Sequence, residues 1–253
     1  MAEQGRTREA EASSCFPASE GAAERSEAEG GVASLPVRRR RWRPMTYGPA
    51  EFQAALDVSQ ETMERLEAFR RLLAEWSERI NLIGPKELEL FWPRHALDSA
   101  QLLRFAPEAK KWVDLGSGAG FPALVLACFL KDRPGATVHM VEATGKKARF
   151  LQAVADELAL PAKVFNCRIE AFQAGEGPYD VVTARALAPL NRLIPYAKPI
   201  LDRGAIGLFP KGANLDAELA AAKDVLDGGA YRADVLESLS DPRGRIVRIT
   251  KAR

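Results

Sequence analysis

From Lys110 onward the chain alternates short apolar runs with longer segments of helical periodicity, and this alternation limits the fold more than any other feature of its 253 residues. "KWVDLG" precedes "PALVLACFLK", and "ATVHMVE" precedes "KKARFLQAVADEL". "AKVFN" follows, then "YDVVTAR" before "LNRLIPYAKPIL" and "GAIGLFPKG" before "NLDAELAAAKDVL". Strand alternating with helix predicts an α/β fold with a parallel sheet and helices on both faces. Two further strand-like stretches, "GAYRADVLESL" and "RGRIVRITK", predict an antiparallel hairpin at one sheet edge.

Ahead of this region, residues 49–105 read as helical. Met63, Leu66, Phe69, Leu73, Trp76 and Ile80 recur at spacings of three and four, which places them on one helix face. Asp57 or Ser59 is placed to cap the start of that helix, and "RHALDSAQLLRF" predicts another. Residues 1–34 hold seven Glu and three Arg among Ala, Gly and Ser, and "RRRRWRP" follows. Too little apolar surface is present there to offset ordering entropy, so residues 1–44 are expected to be a disordered, dispensable tail with Met45 as a plausible native start. The competing reading of the arginine cluster is an RNA-binding arm. The expected organisation is a tail over 1–44, a helical extension over 45–108 and a catalytic domain over 109–253.

Net charge is +2, so contact with nucleic acid requires a local patch rather than global basicity. Cys15, Cys128 and Cys167 are odd in number and far apart, with no CxxC or Cys/His cluster. Neither a disulfide framework nor a metal site is indicated, and a reducing cytoplasm fits. "ALVLACFL" is less than half a membrane span, so no membrane partner is expected.

The first strand-to-helix turn reads Asp114-Leu115-Gly116-Ser117-Gly118-Ala119-Gly120. In an open parallel sheet the ligand sits beyond the C-terminal strand ends, where this turn lies. Gly116, Gly118 and Gly120 allow a tight turn and close approach of the backbone to a ligand. A dinucleotide fingerprint needs its third glycine at position 121, but Phe121 and then Pro122 stand there. A second acid, Glu142, ends the next strand, where it is placed to accept hydrogen bonds from two ribose hydroxyls. Glycine loop and second-strand acid together point to S-adenosylmethionine rather than a nicotinamide dinucleotide.

The methyl acceptor is narrowed by what the sequence lacks. There is no Asn/Asp-Pro-Pro-aromatic tetrapeptide for adenine amino methylation, and no cysteine follows a proline as a cytosine nucleophile would. What remains are acceptors with a ready lone pair, such as guanine N7. Such an atom loses no proton, so positioning and electrostatics suffice without a dedicated general base.

Several pieces in order, "WSERINL", "RHALDS", "VDLGSGAGFP", "GKKARFL", "RIE", "ARALAPLN" and "PKG", make the chain from about Met45 resemble the 16S ribosomal RNA small-subunit methyltransferase G family, also called glucose-inhibited division protein B. The resemblance implies a class I (Rossmann-like) S-adenosylmethionine-dependent methyltransferase fold with an N-terminal helical extension. It implies methyl transfer to N7 of one guanine in the decoding-region loop of 16S rRNA. By matching position it implies cofactor contacts at Gly116, Phe121, Ile169, Glu170 and Arg185, with Glu142 on the ribose, and a reaction centre facing Arg185. His95, Asp98, Lys146, Lys147, Arg185 and Lys211 are the candidates for an RNA-facing surface. The expected partner is 16S rRNA or the 30S subunit, approached by a monomer, with free rRNA, an assembly intermediate and the finished subunit all open as substrate. The chain departs from the family's habit at Ala184, Ala123 and the Gly244-Arg245 pair; none of these removes the cofactor site.

Each candidate also has a structural reading. His95 suits helix packing with Asp98 one turn away, Lys146 and Lys147 suit a solvated helix face, and His139 in its apolar strand suits the core. Two other function classes keep the same loop: a small-molecule methyltransferase with a closed apolar pocket, and a non-enzymatic ribosome-binding protein.

Overall fold

The computed structural model describes residues 47–172 and 177–252. The expectations for the tail at 1–44 and for a start at Met45 lie outside the described residues. Helix α1 spans Pro49–Leu56 and α2 spans Gln60–Ser77. Of the two proposed caps, Ser59 is the one used, its hydroxyl accepting from the Thr62 amide, while Asp57 closes α1 in a left-handed conformation. Met63, Leu66, Phe69 and Leu73 are buried as their spacing requires, and Trp76 and Ile80 pack at the margin.

The predicted "RHALDSAQLLRF" helix is three short helical pieces instead. After α3 (Pro85–Glu89) come a π-helical turn (Phe91–Ala96), α4 (Leu97–Ala100) and a 3-10 turn (Gln101–Phe105). Pro93 has no N–H to join a regular ladder, and the wide turn instead bonds the His95 amide to the Leu90 carbonyl at 3.4 Å.

The remaining elements are β1 (Lys111–Leu115), α5 (Ala123–Leu130), β2 (Thr137–Val141), α6 (Gly145–Glu157), β3 (Ala162–Phe165), β4 (Val181–Thr183), α7 (Leu190–Leu201), β5 (Ile206–Lys211), α8 (Leu215–Ala221), α9 (Lys223–Asp227), β6 (Tyr231–Glu237) and β7 (Arg245–Lys251). The seven strands lie in the order β3-β2-β1-β4-β5-β7-β6. β1 to β5 are parallel; β7 runs antiparallel between β5 and β6, which makes the expected terminal hairpin.

Strand residues alternate between two apolar layers. On one face Trp112, Val138 and Val181 meet α2, α5 and α6 through Phe69, Leu124 and Phe150. On the other, Val113, Val182 and Phe209 meet α7 through Leu193, Ile194 and Ala197. Covered on both faces, the strands read as apolar runs rather than as strict alternation. His139 keeps its structural role, buried on β2 with Nδ1 at 2.8 Å from the Tyr179 hydroxyl. Among the described residues no helix is long and apolar enough to cross a membrane.

The chain order reverses between β1 and β4: β2 and β3 extend one way from β1, and β5 the other way from β4. That reversal opens a crevice beyond the C-terminal strand ends. Register then decides which residues meet there. Asp114 pairs with Thr183 and Leu115 with Val141, so the glycine turn, Glu142 and Arg185 all leave the sheet at the same level.

Candidate active site

The turn after β1 is built of left-handed glycines: Gly116 (φ 74°), Gly118 (φ 54°) and Gly120 (φ 90°). A Cβ at Gly116 would lie 2.7 Å from Leu187 Cδ1, and one at Gly120 would overlap Leu124. A Cβ at Gly118 would meet only the Gly116 carbonyl, at an ordinary 3.7 Å, so backbone conformation alone demands glycine there. Glu142 ties this loop down. Its Oε2 accepts the Gly118 amide at 2.9 Å and its Oε1 accepts the Thr144 amide at 2.7 Å. Each oxygen retains a further lone pair for a ligand hydroxyl.

The loop opens on a cleft of about 540 Å³, within the range of small-molecule sites. Gly116, Gly118, Phe121 and Glu142 line it, as do Ile169 and Glu170 on the 3-10 turn after β3, and Arg185 after β4. Gly120 stands behind the turn and serves its shape. Lys147 and His95 also reach the cleft.

Beneath the cleft Asp114 is buried. Its Oδ1 accepts the Thr183 hydroxyl at 2.9 Å, while its Oδ2 has no partner. Burial pushes its pKa up to about 7, offset in part by hydrogen bonding from neighbouring hydroxyls. This acid was visible at the head of the glycine motif, but nothing in the sequence marked it as an unsatisfied acceptor.

Arg185 is clamped from the helical region. Its Nη2 lies 2.6 Å from His95 Nδ1 and its Nε 3.4 Å from Asp98 Oδ2. Arginine only donates, so His95 Nδ1 is the acceptor and the imidazole proton sits on Nε2. Nε2 is 3.0 Å from a Glu87 oxygen but off the line a hydrogen bond needs. Burial, then the Arg185 charge, lowers the His95 pKa to about 3, so the ring is neutral. The same ring stacks on Phe121 at 4.7 Å, and the guanidinium carbon of Arg185 lies 5.6 Å from the Phe121 centroid. Asp98 Oδ1 accepts from Gln101 at 2.9 Å and from the Ser240 hydroxyl at 3.0 Å, which ties the β6–β7 loop into the same group. Burial raises the Asp98 pKa, and Arg185 opposes that shift. Arg185 Nη1 is buried without an acceptor.

His95, Asp98 and Lys211 therefore do not present an outer RNA-facing surface; their side chains are only 7%, 17% and 9% exposed. The one-turn spacing of His95 and Asp98 points both at Arg185, in keeping with the packing role that spacing suits. Lys211 Nζ donates to the Ala188 carbonyl at 2.8 Å and pairs with Glu218 at 2.8 Å, whose Oε2 also accepts the Leu190 amide. It braces the loop after β4, in which Ala186 holds φ 55°, a strained conformation for a residue with a Cβ. Lys146 is exposed but outside the cleft. Arg168, Arg192 and Tyr196, which sequence reading passed over, do line it. Among the described residues no group of His, Cys, Asp and Glu forms a metal site.

Comparison with known proteins bears on this geometry. The model of the family described as rRNA small subunit methyltransferase G matches residues 62–243, more than half of the chain. A protein named ribosomal RNA small subunit methyltransferase G from Caulobacter vibrioides is 46% identical over 202 residues, 80% of this chain and 91% of its own. One of the same name from Parvibaculum lavamentivorans is 44% identical over 207 residues, 81% of this chain and 90% of its own. Among solved structures, cofactor-bound Rv0187 from MTB shares the fold with TM-score 0.54 at 16% identity, covering 83% of this chain and 100% of that one.

Proposed function

Because the chain belongs to the rRNA small subunit methyltransferase G family, we propose that it transfers the methyl group of S-adenosylmethionine to N7 of a guanine in 16S rRNA. Methylation of small-subunit rRNA follows from the family; the acceptor atom, the 30S subunit as substrate and action as a monomer are our reading. The observation that carries it is the meeting, in one cleft, of the glycine loop tied to Glu142 and the clamped Arg185.

The residues present fit the cofactor. Gly116 leaves bare backbone where a Cβ would strike Leu187, Glu142 has lone pairs to spare, and Asp114 offers a buried acceptor without a partner. S-adenosylmethionine, when bound, supplies an electrophilic methyl on a sulfonium sulfur. In this reading Glu142 would hold the ribose hydroxyls, and Ile169 and Glu170 the adenine edge. Arg185 and Phe121 are placed at the boundary with the acceptor.

Guanine N7 brings its own lone pair and loses no proton, so the step needs no base. That reading is supported by His95, which already spends Nδ1 on Arg185, and by Arg185, which accepts no proton at all. What the protein contributes is orientation and a fixed charge held in a partly buried setting. Lys147, Arg168 and Arg192 place three cations in the lining of the cleft, which suits RNA phosphates better than a closed apolar pocket would suit a small molecule.

The test is genetic. Deleting the gene is expected to remove one 7-methylguanosine from 16S rRNA, and re-expression of the wild-type protein to restore it. An unchanged modification pattern would refute the proposal.

A further inference from the structure

The cofactor reading leaves one side of the cleft unused. That side includes Arg192 and Tyr196, one turn apart on α7 and on the same helix face. Besides the His95 imidazole, two aromatic rings line the cleft, Phe121 and Tyr196. They differ in what they have left to offer. Phe121 is buried, stacked on His95, approached by Arg185 and packed against Phe69 and Phe91. Tyr196 is half-buried, with its inner edge against the α7 side of the core, and enters no ring–ring or cation–π contact among the described residues. Its hydroxyl accepts from Arg192 Nη2 at 3.2 Å. Arg192 is exposed and has no ion-pair partner among the described residues.

We propose that Tyr196 is the platform on which the target purine stacks, with Arg192 holding the ring in place and offering its charge to an adjoining phosphate. This rests on the rRNA-methylating reading above and adds the residue that holds the acceptor base. The ligand class is an unpaired purine nucleotide of RNA. A base drawn out of its own stack recovers that energy on another π face, and a ring needs no particular base edge to provide it. A tyrosine locked by a hydrogen bond from one turn earlier loses little further freedom when the base arrives.

The experiment compares Tyr196→Ala, Tyr196→Leu and Tyr196→Phe in methylation of 30S subunits, with calorimetric titration of S-adenosylmethionine and thermal melting for each. Loss of the platform is expected to lower kcat/KM for the subunit by about 5- to 150-fold in the Ala and Leu variants. Tyr196→Phe, which keeps the ring, should recover most of that loss, and cofactor affinity should hold across the series. Leucine matters because it keeps the packing bulk: if alanine unfolds the helix, the Leu-against-Phe contrast still decides. Leu performing as well as Phe would assign Tyr196 to packing and overturn the proposal, as would full activity in Tyr196→Ala. A wild-type protein that transfers no methyl group to 30S subunits would overturn the functional reading itself, an outcome distinct from either.

Discussion

The two sides of the cleft are built in opposite ways. The side we propose for the cofactor is mostly backbone: three left-handed glycines within five residues, held by one acid that ends the neighbouring strand. The side we propose for the acceptor is side chains gathered from afar. Arg185 meets His95 and Asp98 from the helical region, and Asp98 meets Ser240 from the terminal hairpin. A backbone-built site is set by residues close in sequence, because conformation is local. A side-chain site exists only after the sheet and the irregular helix have packed. Perturbing the first side should therefore act on cofactor affinity, and perturbing the second on turnover.

The largest effect is expected at Arg185. Arg185→Ala removes a charge fixed by both His95 and Asp98, and kcat for 30S methylation should fall by roughly 100- to 1,000-fold. Tritiated-methyl incorporation measures it, with circular dichroism as the fold control; near-normal turnover in a folded variant would dissolve the distinction between the two sides. Next comes Glu142→Ala, which frees the Gly118 and Thr144 amides and removes the carboxylate we propose for the ribose. S-adenosylmethionine binding should weaken by roughly 1–3 kcal/mol by calorimetry. Undiminished affinity would mean that the glycine loop needs no such anchor.

A smaller effect separates charge from shape at Asp114. Its folded-state pKa of about 7 stands above the ordinary carboxyl value of 3.8, so the folded protein holds a proton that the unfolded chain releases. Stability from this group is therefore present below about pH 4 and lost as pH rises towards 7. Asp114→Asn should leave the melting temperature unchanged at pH 4. At pH 8 it should raise stability by about 1–2 kcal/mol, less than the ceiling near 4 kcal/mol set by the full shift. Equal effects at both pH values would contradict it. The smallest effect should come from Lys211→Met, which removes the brace on Ala188 and the partner of Glu218. Stability should change by less than about 1 kcal/mol, with kcat falling more than cofactor affinity.

These contrasts also explain how much of the molecule was legible in its sequence. The strand–helix alternation from Lys110 and the acid-x-GxGxG turn were readable because hydrophobic period and glycine conformation are local properties. Glu142 was readable for the same reason, as the polar residue that ends an apolar strand. His95, Asp98 and Lys211 were expected on an RNA-facing surface but are largely buried, because facing outward or inward depends on partners 90, 87 and 7 residues away in sequence. The π-helical turn at Phe91–Ala96 could not be told from an ordinary helix, although Pro93 hinted at irregularity. Tyr196 carries no motif; only its placement on α7 beside the reversal in strand order brings it to the cleft.

The central claim is that this cleft delivers a methyl group to N7 of one guanine in small-subunit rRNA. The most direct test incubates 30S subunits from cells lacking the gene with the purified protein and S-adenosylmethionine labelled in its methyl group, then resolves the nucleosides by mass spectrometry. The label should appear in 7-methylguanosine, at about one per subunit, as positioning at a single site requires. Label in any other nucleoside, or none in the RNA, would contradict the account.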